Sequence, residues 1–470
     1  MLFDSALFLW FFGVVFVVYW TIARWHAARI AWLLLASYAF YASWNVELLL
    51  LIVGSTLIDF FVGQRVYEAE EKQAKKRWLM VSLFSNLGLL ALFKYGDFVL
   101  TNVQDVVDAF GGDAKVPLLN LVLPVGISFY TFQTLSYTID IYYGRMKPTR
   151  NLAHFALFVS FFPQLVAGPI VRARDLLPQL SQRPVADPVG HGRGFFLIAR
   201  GLVKKVAIAD YLALNIVDRV YDNPELYSSA EMLFAIYAYS VQIYCDFSGY
   251  SDVAIGAALL LGLKLPDNFA RPFAAADLQD HWRRWHITLS SWLRDYLYIP
   301  LGGSRKGTYK TYRNLFITML LGGLWHGAAW TFIVWGALHG SALAVVRAVQ
   351  RRWPRERRSR LHHVLAVLVT FHFVCFSWVF FRASSLQNSQ DILAGLAEGS
   401  TYIPNVTPTL AAVVFGVLAL HMTPKTWVDD VGERFAGSPA LVQAALLAAV
   451  AVALAQLKST AAVPFIYFQF

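Results

Sequence analysis

Residues 232–263 read MLFAIYAYSVQIYCDFSGYSDVAIGAALLLGL, an apolar run longer than the roughly 20 residues that a helix needs to cross a bilayer. Similar runs recur along the 470-residue chain, of which 57% is hydrophobic and only 15% is charged, with a mean hydropathy of +0.49. A water-soluble domain does not need so much apolar surface, so the bilayer must act as the solvent. The sequence therefore predicts an all-α, polytopic membrane protein, with one membrane-embedded domain over residues 1–470.

The basic residues lie in the loops between these runs and predict the orientation of the helices. Short loops rich in Lys and Arg stay on the cytoplasmic side of a membrane. Residues 347–360 carry seven arginines and one acid, whereas Asp105, Asp108 and Asp113 lie in a stretch with a single lysine. The alternation of basic and acidic loops along the chain predicts about 12 crossings of the membrane, with both termini outside. Orientation also explains the net charge of +10, so nucleic acid is not expected as a partner.

Two regions do not have the pattern of simple spans. Residues 161–194 contain five prolines, and residues 263–311 are rich in Arg, Trp and His. Irregular backbone survives at membrane depth only where protein buries it or where it lines a wet cavity. These two regions are where we expect the functional site.

A polar island, QIYCDFSGYSD, occupies residues 242–252 within the apolar run quoted above. A carboxylate at the centre of a membrane helix costs roughly 2.5–3.5 kcal/mol on insertion scales, so Asp246 and Asp252 are expected to have partners and a task. Helix packing through Ser248 and its neighbouring glycine explains the island equally well. Both cysteines of the chain lie in apolar segments, which predicts packing residues rather than a disulfide.

Residues 281–300, HWRRWHITLSSWLRDYLYIP, place apolar and aromatic side chains at helical spacing with arginines around them. This pattern predicts an amphipathic helix at the inner membrane interface. The segment is either an interfacial anchor or a cationic entrance for an anionic donor. The side chains assigned to donor binding are Arg283, Arg284, Arg294 and Trp285.

The segment GGLWHGAAW, residues 322–330, places His326 beside Trp325 and deep in a span predicted over residues 314–334. A histidine accepts a proton near neutral pH, and flanking glycines let a substrate approach it closely. A satisfied core histidine is the alternative, although the depth of the residue favours a catalytic role. The sequence shows no metal-ligand spacing and no phosphate-binding loop.

The three motifs, in this order, resemble the membrane-bound O-acyltransferase family, and specifically its bacterial branch that acetylates alginate and cellulose. The resemblance covers nearly the whole chain and implies that His326 is the catalytic histidine and His286 the second active-site histidine. Relatives bury these residues in a funnel-shaped ring of helices, which a thioester enters from inside and an acceptor from outside. The supporting residues by this resemblance are Asp246, Ser248, Asp252 and Trp325.

The last six residues, FIYFQF, resemble a C-terminal aromatic motif of bacterial polymer-acylation systems. The resemblance implies that Tyr467, in an extracytoplasmic tail over residues 458–470, carries the acyl group to an extracytoplasmic transferase. Because a phenol, with a pKa of about 10, is a better leaving group than an alcohol, a phenyl ester gives up its acyl group readily. An aromatic belt at the membrane interface is the alternative interpretation.

Transfer of an acetyl group across the bacterial inner membrane is the function that the resemblance implies, with acetyl-CoA or another acetyl thioester as donor and no bound cofactor. A periplasmic SGNH-type acetyltransferase would then acetylate an exported polysaccharide such as alginate or cellulose. One alternative is a non-catalytic channel or transporter for the acyl donor or the polysaccharide. Another is a family member with a different cargo, such as D-alanine for teichoic acid or an acyl chain for a lipid or protein.

Overall fold

The structure, a computed structural model, describes residues 1, 3–353, 359–458 and 465–466. Over these residues the chain is helical and forms no β-strand, which confirms the all-α prediction. The chain divides into two compact units. The first contains Met1–Asp187 and Ala257–Pro266, and the second contains Pro188–Gly256 and Asp267–Phe470.

Long helices make up most of the first unit, and a π-helical turn at Ala91–Tyr95 joins two of them. Its helices are α1 (Ala6–Thr21), α2 (His26–Ala42), α3 (Val46–Glu68), α4 (Lys72–Leu90), α5 (Gly96–Ala109), α6 (Ile127–Tyr142), α7 (Leu152–Ser160), α8 (Phe162–Leu165) and α9 (Ala173–Leu180).

The second unit contains the three sequence motifs. Its helices are α10 (Pro188–Leu202), α11 (Asp218–Asp222), α12 (Ser229–Leu260, whose last turn belongs to the first unit), α13 (Leu278–Arg284), α14 (Ile287–Leu293), α15 (Thr308–His326), α16 (Trp330–Arg352), α17 (Arg360–Arg382), α18 (Leu386–Ala397), α19 (Pro408–Met422), α20 (Lys425–Ala436) and α21 (Ala440–Leu457). π-Helical segments follow α10, at Val203–Asp210 and Ala213–Val217, and α14, at Arg294–Tyr298.

Five helical stretches within the described residues are long and apolar enough to cross a membrane, and a bent pair formed by α19 and α20 would add a sixth. The count of about 12 crossings stays a prediction. The regions predicted to be irregular contain short helices, with α8 and α9 only four and eight residues long and α13 and α14 seven each. Cys245 and Cys375 are buried free thiols, as predicted.

A buried polar network joins three helices of the first unit. Asp59 of α3 is fully buried and accepts hydrogen bonds from the hydroxyl of Ser82, from Asn86 Nδ2 at 2.8 Å and from Thr138 Oγ1 at 3.2 Å. Ser82 and Asn86 belong to α4, and Thr138 belongs to α6. Because buried donors without acceptors are costly, this carboxyl group holds α4 and α6 against α3.

We expect Asp59→Ala to lower the free energy of unfolding in detergent by about 1–2 kcal/mol, because Ser82, Asn86 and Thr138 each lose a hydrogen bond to a buried carboxyl group. Glu68→Ala, also on α3, is the control: its pair with Arg65 is exposed and should contribute less than about 0.5 kcal/mol. The midpoint of unfolding with increasing SDS measures both effects. Equal midpoints for the two variants would show that the network does not stabilise the first unit.

Candidate active site

His286 lies at a break between two helices. α13 ends at Arg284 and α14 begins at Ile287, and His286 between them has φ 42° and ψ 55°. This left-handed conformation is uncommon for a residue with a side chain, and it cannot continue a right-handed helix. The amphipathic helix predicted here is therefore not continuous, because it is interrupted at His286. Its apolar face is nevertheless buried, at Trp285, Leu289, Trp292, Leu293 and Tyr296.

The His286 ring is completely buried and contacts both polar and aromatic neighbours. Its Nδ1 atom is 3.1 Å from Oδ1 of Asn268, and its ring packs edge-on against Phe247, with centroids 4.6 Å apart. His286 belongs to no candidate membrane span, and burial lowers its pKa to about 3. The imidazole is therefore neutral near pH 7, with one nitrogen protonated and the other able to accept a hydrogen bond.

His326 is the last residue of α15 and is only 4% exposed. The prediction that it lies inside one continuous span over residues 314–334 is wrong, because Gly327 has extended backbone and α16 begins at Trp330. Glycine is a poor helix former, and at this position a Cβ atom would come within 2.0 Å of the Phe332 ring. A helix C-terminus carries partial negative charge, so this position favours an imidazole that becomes positively charged.

Aromatic rings surround both His286 and His326, and one of these rings lies close to both histidines. The Trp325 ring lies 5.1 Å from that of His326 and 6.0 Å from that of His286, between centroids. His326 also contacts Trp335 at 5.2 Å and Phe381 at 5.1 Å. The structure therefore brings the histidines of two separate sequence motifs to one buried aromatic cluster.

Glycines let α15 and α16 approach each other closely. A Cβ atom on Gly323 would come within 2.3 Å of the carbonyl oxygen of Phe332, and one on Gly336 within 2.6 Å of that of Met319. The glycines beside His326 were predicted to leave space for a substrate. In the structure, Gly323 and Gly327 serve the packing of α16 against the helix that carries His326.

We expect Gly323→Ala to destabilise the protein by about 1–3 kcal/mol and to reduce its activity, because α16 must move away from α15 to admit the methyl group. Gly416→Ala in α19 is the matched control, since its Cβ would meet nothing within 4 Å. The SDS unfolding midpoint and acyl-transfer rate of each purified variant measure the effects. Normal values for Gly323→Ala would contradict the packing role.

The polar island on α12 is neutralised by cations that were not among the predicted site residues. Asp252 accepts two hydrogen bonds from Arg200, at 2.9 and 2.6 Å, and one from Lys204 at 2.7 Å. Lys204 also donates to the hydroxyl of Ser248 at 3.2 Å. Asp246 forms an ion pair with Lys205 at 2.9 Å. The three supporting residues predicted on α12 therefore face one basic segment.

That basic segment could have been identified from the sequence. Arg200, Lys204 and Lys205 lie in FFLIARGLVKKVAIA, an apolar stretch in which cations need partners. The backbone meets α12 closely here, since a Cβ atom on Gly201 would come within 2.5 Å of the carbonyl oxygen of Gly249. The sequence signal was the charge within an apolar run, which does not identify the partner carboxylates.

The residues assigned to donor binding lie in two different environments. Arg283 and Arg294 are exposed, and Arg294 pairs with the adjacent Asp295 at 2.7 Å. Arg284 pairs with Asp280, one helical turn away, at 3.0 Å. Such pairs contribute roughly 0–1 kcal/mol, so a phosphate could replace the carboxylates at low cost. Trp285, by contrast, is 2% exposed and stacks on the His281 ring.

Two described residues of the C-terminal tail contact the polar island. The backbone N–H of Ile466 donates to Asp246 Oδ2 at 2.8 Å. The Phe465 ring lies 4.6 Å from that of Tyr250 and 6.0 Å from that of Phe247, which contacts His286. Tyr467, the predicted acyl relay, lies outside the described residues.

The chain is similar to known proteins over most of its length. The family model of the membrane-bound O-acyltransferase family matches residues 145–386. The chain is 44% identical to a probable alginate O-acetylase AlgI of Pseudomonas aeruginosa, over 82% of this chain and 73% of that protein. A probable alginate O-acetylase AlgI of Azotobacter vinelandii is 38% identical and covers 100% of both chains. A peptidoglycan O-acetyltransferase of Helicobacter pylori is 40% identical over 84% of this chain and 80% of its own. Since the family model matches residues 145–386 and these relatives are similar over most of the chain, the chain belongs to the membrane-bound O-acyltransferase family and is an O-acyltransferase.

Proposed function

We propose that this chain takes an acetyl group from a cytoplasmic thioester, such as acetyl-CoA, and passes it across the bacterial inner membrane for O-acetylation of an exported polysaccharide. The names of its relatives, O-acetylases of alginate and peptidoglycan, support the acetyl cargo and the polysaccharide acceptor. The observation that carries the proposal is the meeting of two buried histidines, His286 and His326, at the ring of Trp325.

His326 acts as the general base in the proposed reaction. Its imidazole takes the proton of an acceptor hydroxyl while the hydroxyl oxygen bonds to the carbonyl carbon of the thioester. The tetrahedral intermediate then expels the thiolate, which receives the proton from the His326 imidazolium, so that the products are an ester and a thiol. The C-terminal end of α15 favours the positive charge that His326 carries in between. His286 orients the reacting groups.

The donor enters from the cytoplasmic side, with its phosphates near Arg283, Arg284 and Arg294. The weak pairs of Arg284 and Arg294 with their neighbouring carboxylates support this assignment, because a phosphate can displace them. Trp285, the fourth residue assigned to donor binding, is buried and stacks on the His281 ring. The whole chain forms one membrane-embedded domain of about 12 crossings, with a funnel that gives access to His326 from both sides.

Tyr467 is the first acceptor of the acetyl group. Its phenolic oxygen replaces the donor thiol on the acetyl carbon, and a periplasmic SGNH-type acetyltransferase later takes the acetyl group and leaves the phenol. The contacts of Phe465 and Ile466 with α12 support this role, because they anchor the residues that precede Tyr467 beside the site. Asp246 and its cation Lys205 serve as that anchor.

We expect Tyr467→Phe to remove most polymer acetylation in cells, because phenylalanine keeps the ring and loses the oxygen that forms the ester. Tyr309→Phe is the matched control, since Tyr309 is 79% exposed and has no assigned task. Mass analysis of the exported polymer measures acetyl content. An unchanged acetyl content in Tyr467→Phe would assign the tail to the aromatic belt instead.

Proteoliposomes that contain the purified chain test the proposed function directly. With acetyl-CoA labelled in its acetyl group as donor, we expect the label to appear on Tyr467, and His326→Ala to prevent it. Passage of the intact donor without loss of its acetyl group would support a channel or transporter instead. Label from D-alanyl or long-chain acyl thioesters, without label from acetyl donors, would assign a different cargo.

A further inference from the structure

Asn268 is a buried residue on the segment between α12 and α13, and it binds the backbone of the two residues that follow the helix break at His286. Its carbonyl oxygen accepts a hydrogen bond from the Ile287 N–H at 2.9 Å. Its side-chain Oδ1 accepts from the Thr288 N–H at 3.3 Å and from the Thr288 hydroxyl at 2.9 Å. The same Oδ1 lies 3.1 Å from His286 Nδ1, and Asn268 is only 1% exposed.

The contacts of Asn268 determine which end of its amide faces His286. A backbone N–H can only donate, so the atom that faces Thr288 must be the amide oxygen. The amide nitrogen donates on the other side, to the hydroxyl of Ser251 at 3.3 Å. The oxygen is an acceptor, so the atom of His286 that it meets must carry a hydrogen.

We infer that Asn268 is a positioning residue that fixes neutral His286 in the tautomer with its proton on Nδ1 and its lone pair on Nε2. When one ring nitrogen of a neutral histidine makes a hydrogen bond, that bond determines whether the other ring nitrogen is a donor or an acceptor. Nε2 of His286 is then a hydrogen-bond acceptor. In this tautomer His286 orients a reacting hydroxyl by accepting from it, and it cannot polarise the thioester carbonyl, which needs a donor.

The backbone supports the same assignment. His286 keeps a left-handed conformation that residues with side chains seldom adopt, so the surrounding structure must hold it there. Asn268 does so through the N–H groups of Ile287 and Thr288, the two residues that follow. Strained backbone conformations cluster at active sites and ligand-binding sites. Asn268 therefore orients the ring of His286 with its side chain, and the backbone that follows His286 with both its side chain and its own carbonyl group.

Nitrogen NMR of the purified protein, labelled with ¹⁵N-histidine, tests the tautomer directly. The resonances of His286 are identified by their loss in His286→Gln. Protonated and unprotonated ring nitrogens differ widely in chemical shift, so the wild-type spectrum alone decides which nitrogen carries the hydrogen. We expect Nδ1–H for His286 in the wild type, and Nε2–H there would overturn the inference.

Activity measurements separate positioning from simple packing. Asn268→Leu keeps the size of the side chain and removes the acceptor, so we expect kcat for acetyl transfer to fall by about ten-fold or more with little change in the donor KM. Asn268→Asp keeps an acceptor oxygen and should restore most of the rate and the Nδ1–H signal. Ser251→Ala is the matched control, because it removes a partner of Asn268 without touching its Oδ1, and its rate should stay near that of the wild type.

The inference rests on the proposed role of His286, and the variants distinguish the two. If His286→Gln transfers acetyl groups at the wild-type rate, the proposed role of His286 fails. If His286→Gln is inactive while Asn268→Leu is as active as the wild type, only the role of Asn268 fails. Should Asn268→Leu not fold, Asn268→Asp decides, because an Nε2–H signal or a rate as low as that of His286→Gln would contradict positioning by the acceptor.

Discussion

Replacement of His326 by alanine is expected to reduce acetyl transfer by about 10²–10⁴-fold, the usual contribution of a general base. The acceptor hydroxyl then keeps its proton while it attacks, and no imidazolium forms at the C-terminal end of α15. The fold should survive, because alanine is a good helix former and α15 ends at this residue. Release of labelled acetyl from the thioester in proteoliposomes measures the rate.

The matched control is His363→Ala, which removes an exposed histidine of α17 with no assigned task. Both variants should insert into the membrane and elute as a single species from size exclusion. A second variant, His326→Gln, keeps a polar group of similar length and should be as slow as His326→Ala, because an amide cannot take the proton. Wild-type rates in both His326 variants, with normal rates in His363→Ala, would remove the general base from the mechanism.

Apolar composition was sufficient to predict the class of fold, because a membrane requires helices or closed barrels and the runs have helical length. The irregular regions were also predicted, since prolines and clustered polar residues do not fit a lipid-facing helix. The helix ends at His286 and His326 were not predicted. Each depends on a tertiary contact: Asn268 holds the turn at His286, and Phe332 packs on Gly327 after His326.

The sequence indicated the types of residue at the site better than it indicated their arrangement in space. Family resemblance assigned His286 and His326, but nothing in their spacing showed that both would contact Trp325. The carboxylates of α12 were predicted to need partners, and the structure supplies Arg200, Lys204 and Lys205. A charge that needs a partner can be recognised from the apolar residues around it in the sequence. The identity of that partner cannot, because it depends on how two helices pack.

The ion pairs of α12 lead to the second large effect that we expect. Asp252→Asn should lower the free energy of unfolding by about 3 kcal/mol, because it leaves two cations without their counter-ion while it preserves the shape of the side chain. This loss of stability should lie near the lower end of the range for broken buried ion pairs, because the Arg200 side chain is 29% exposed. The midpoint of SDS unfolding measures it.

Glu433→Gln is the matched control, because it removes the carboxylate of an exposed pair in the same unit, with side chains 48% and 54% exposed. It should cost roughly 0–1 kcal/mol. Removal of one cation should then rescue the buried site: Asp252→Asn with Lys204→Met is expected to be more stable than Asp252→Asn alone, since Arg200 can still donate to the amide oxygen. If the double variant is less stable than the single one, uncompensated charge is not the cause, and Lys204 stabilises α12 by its packing or by its bond to Ser248.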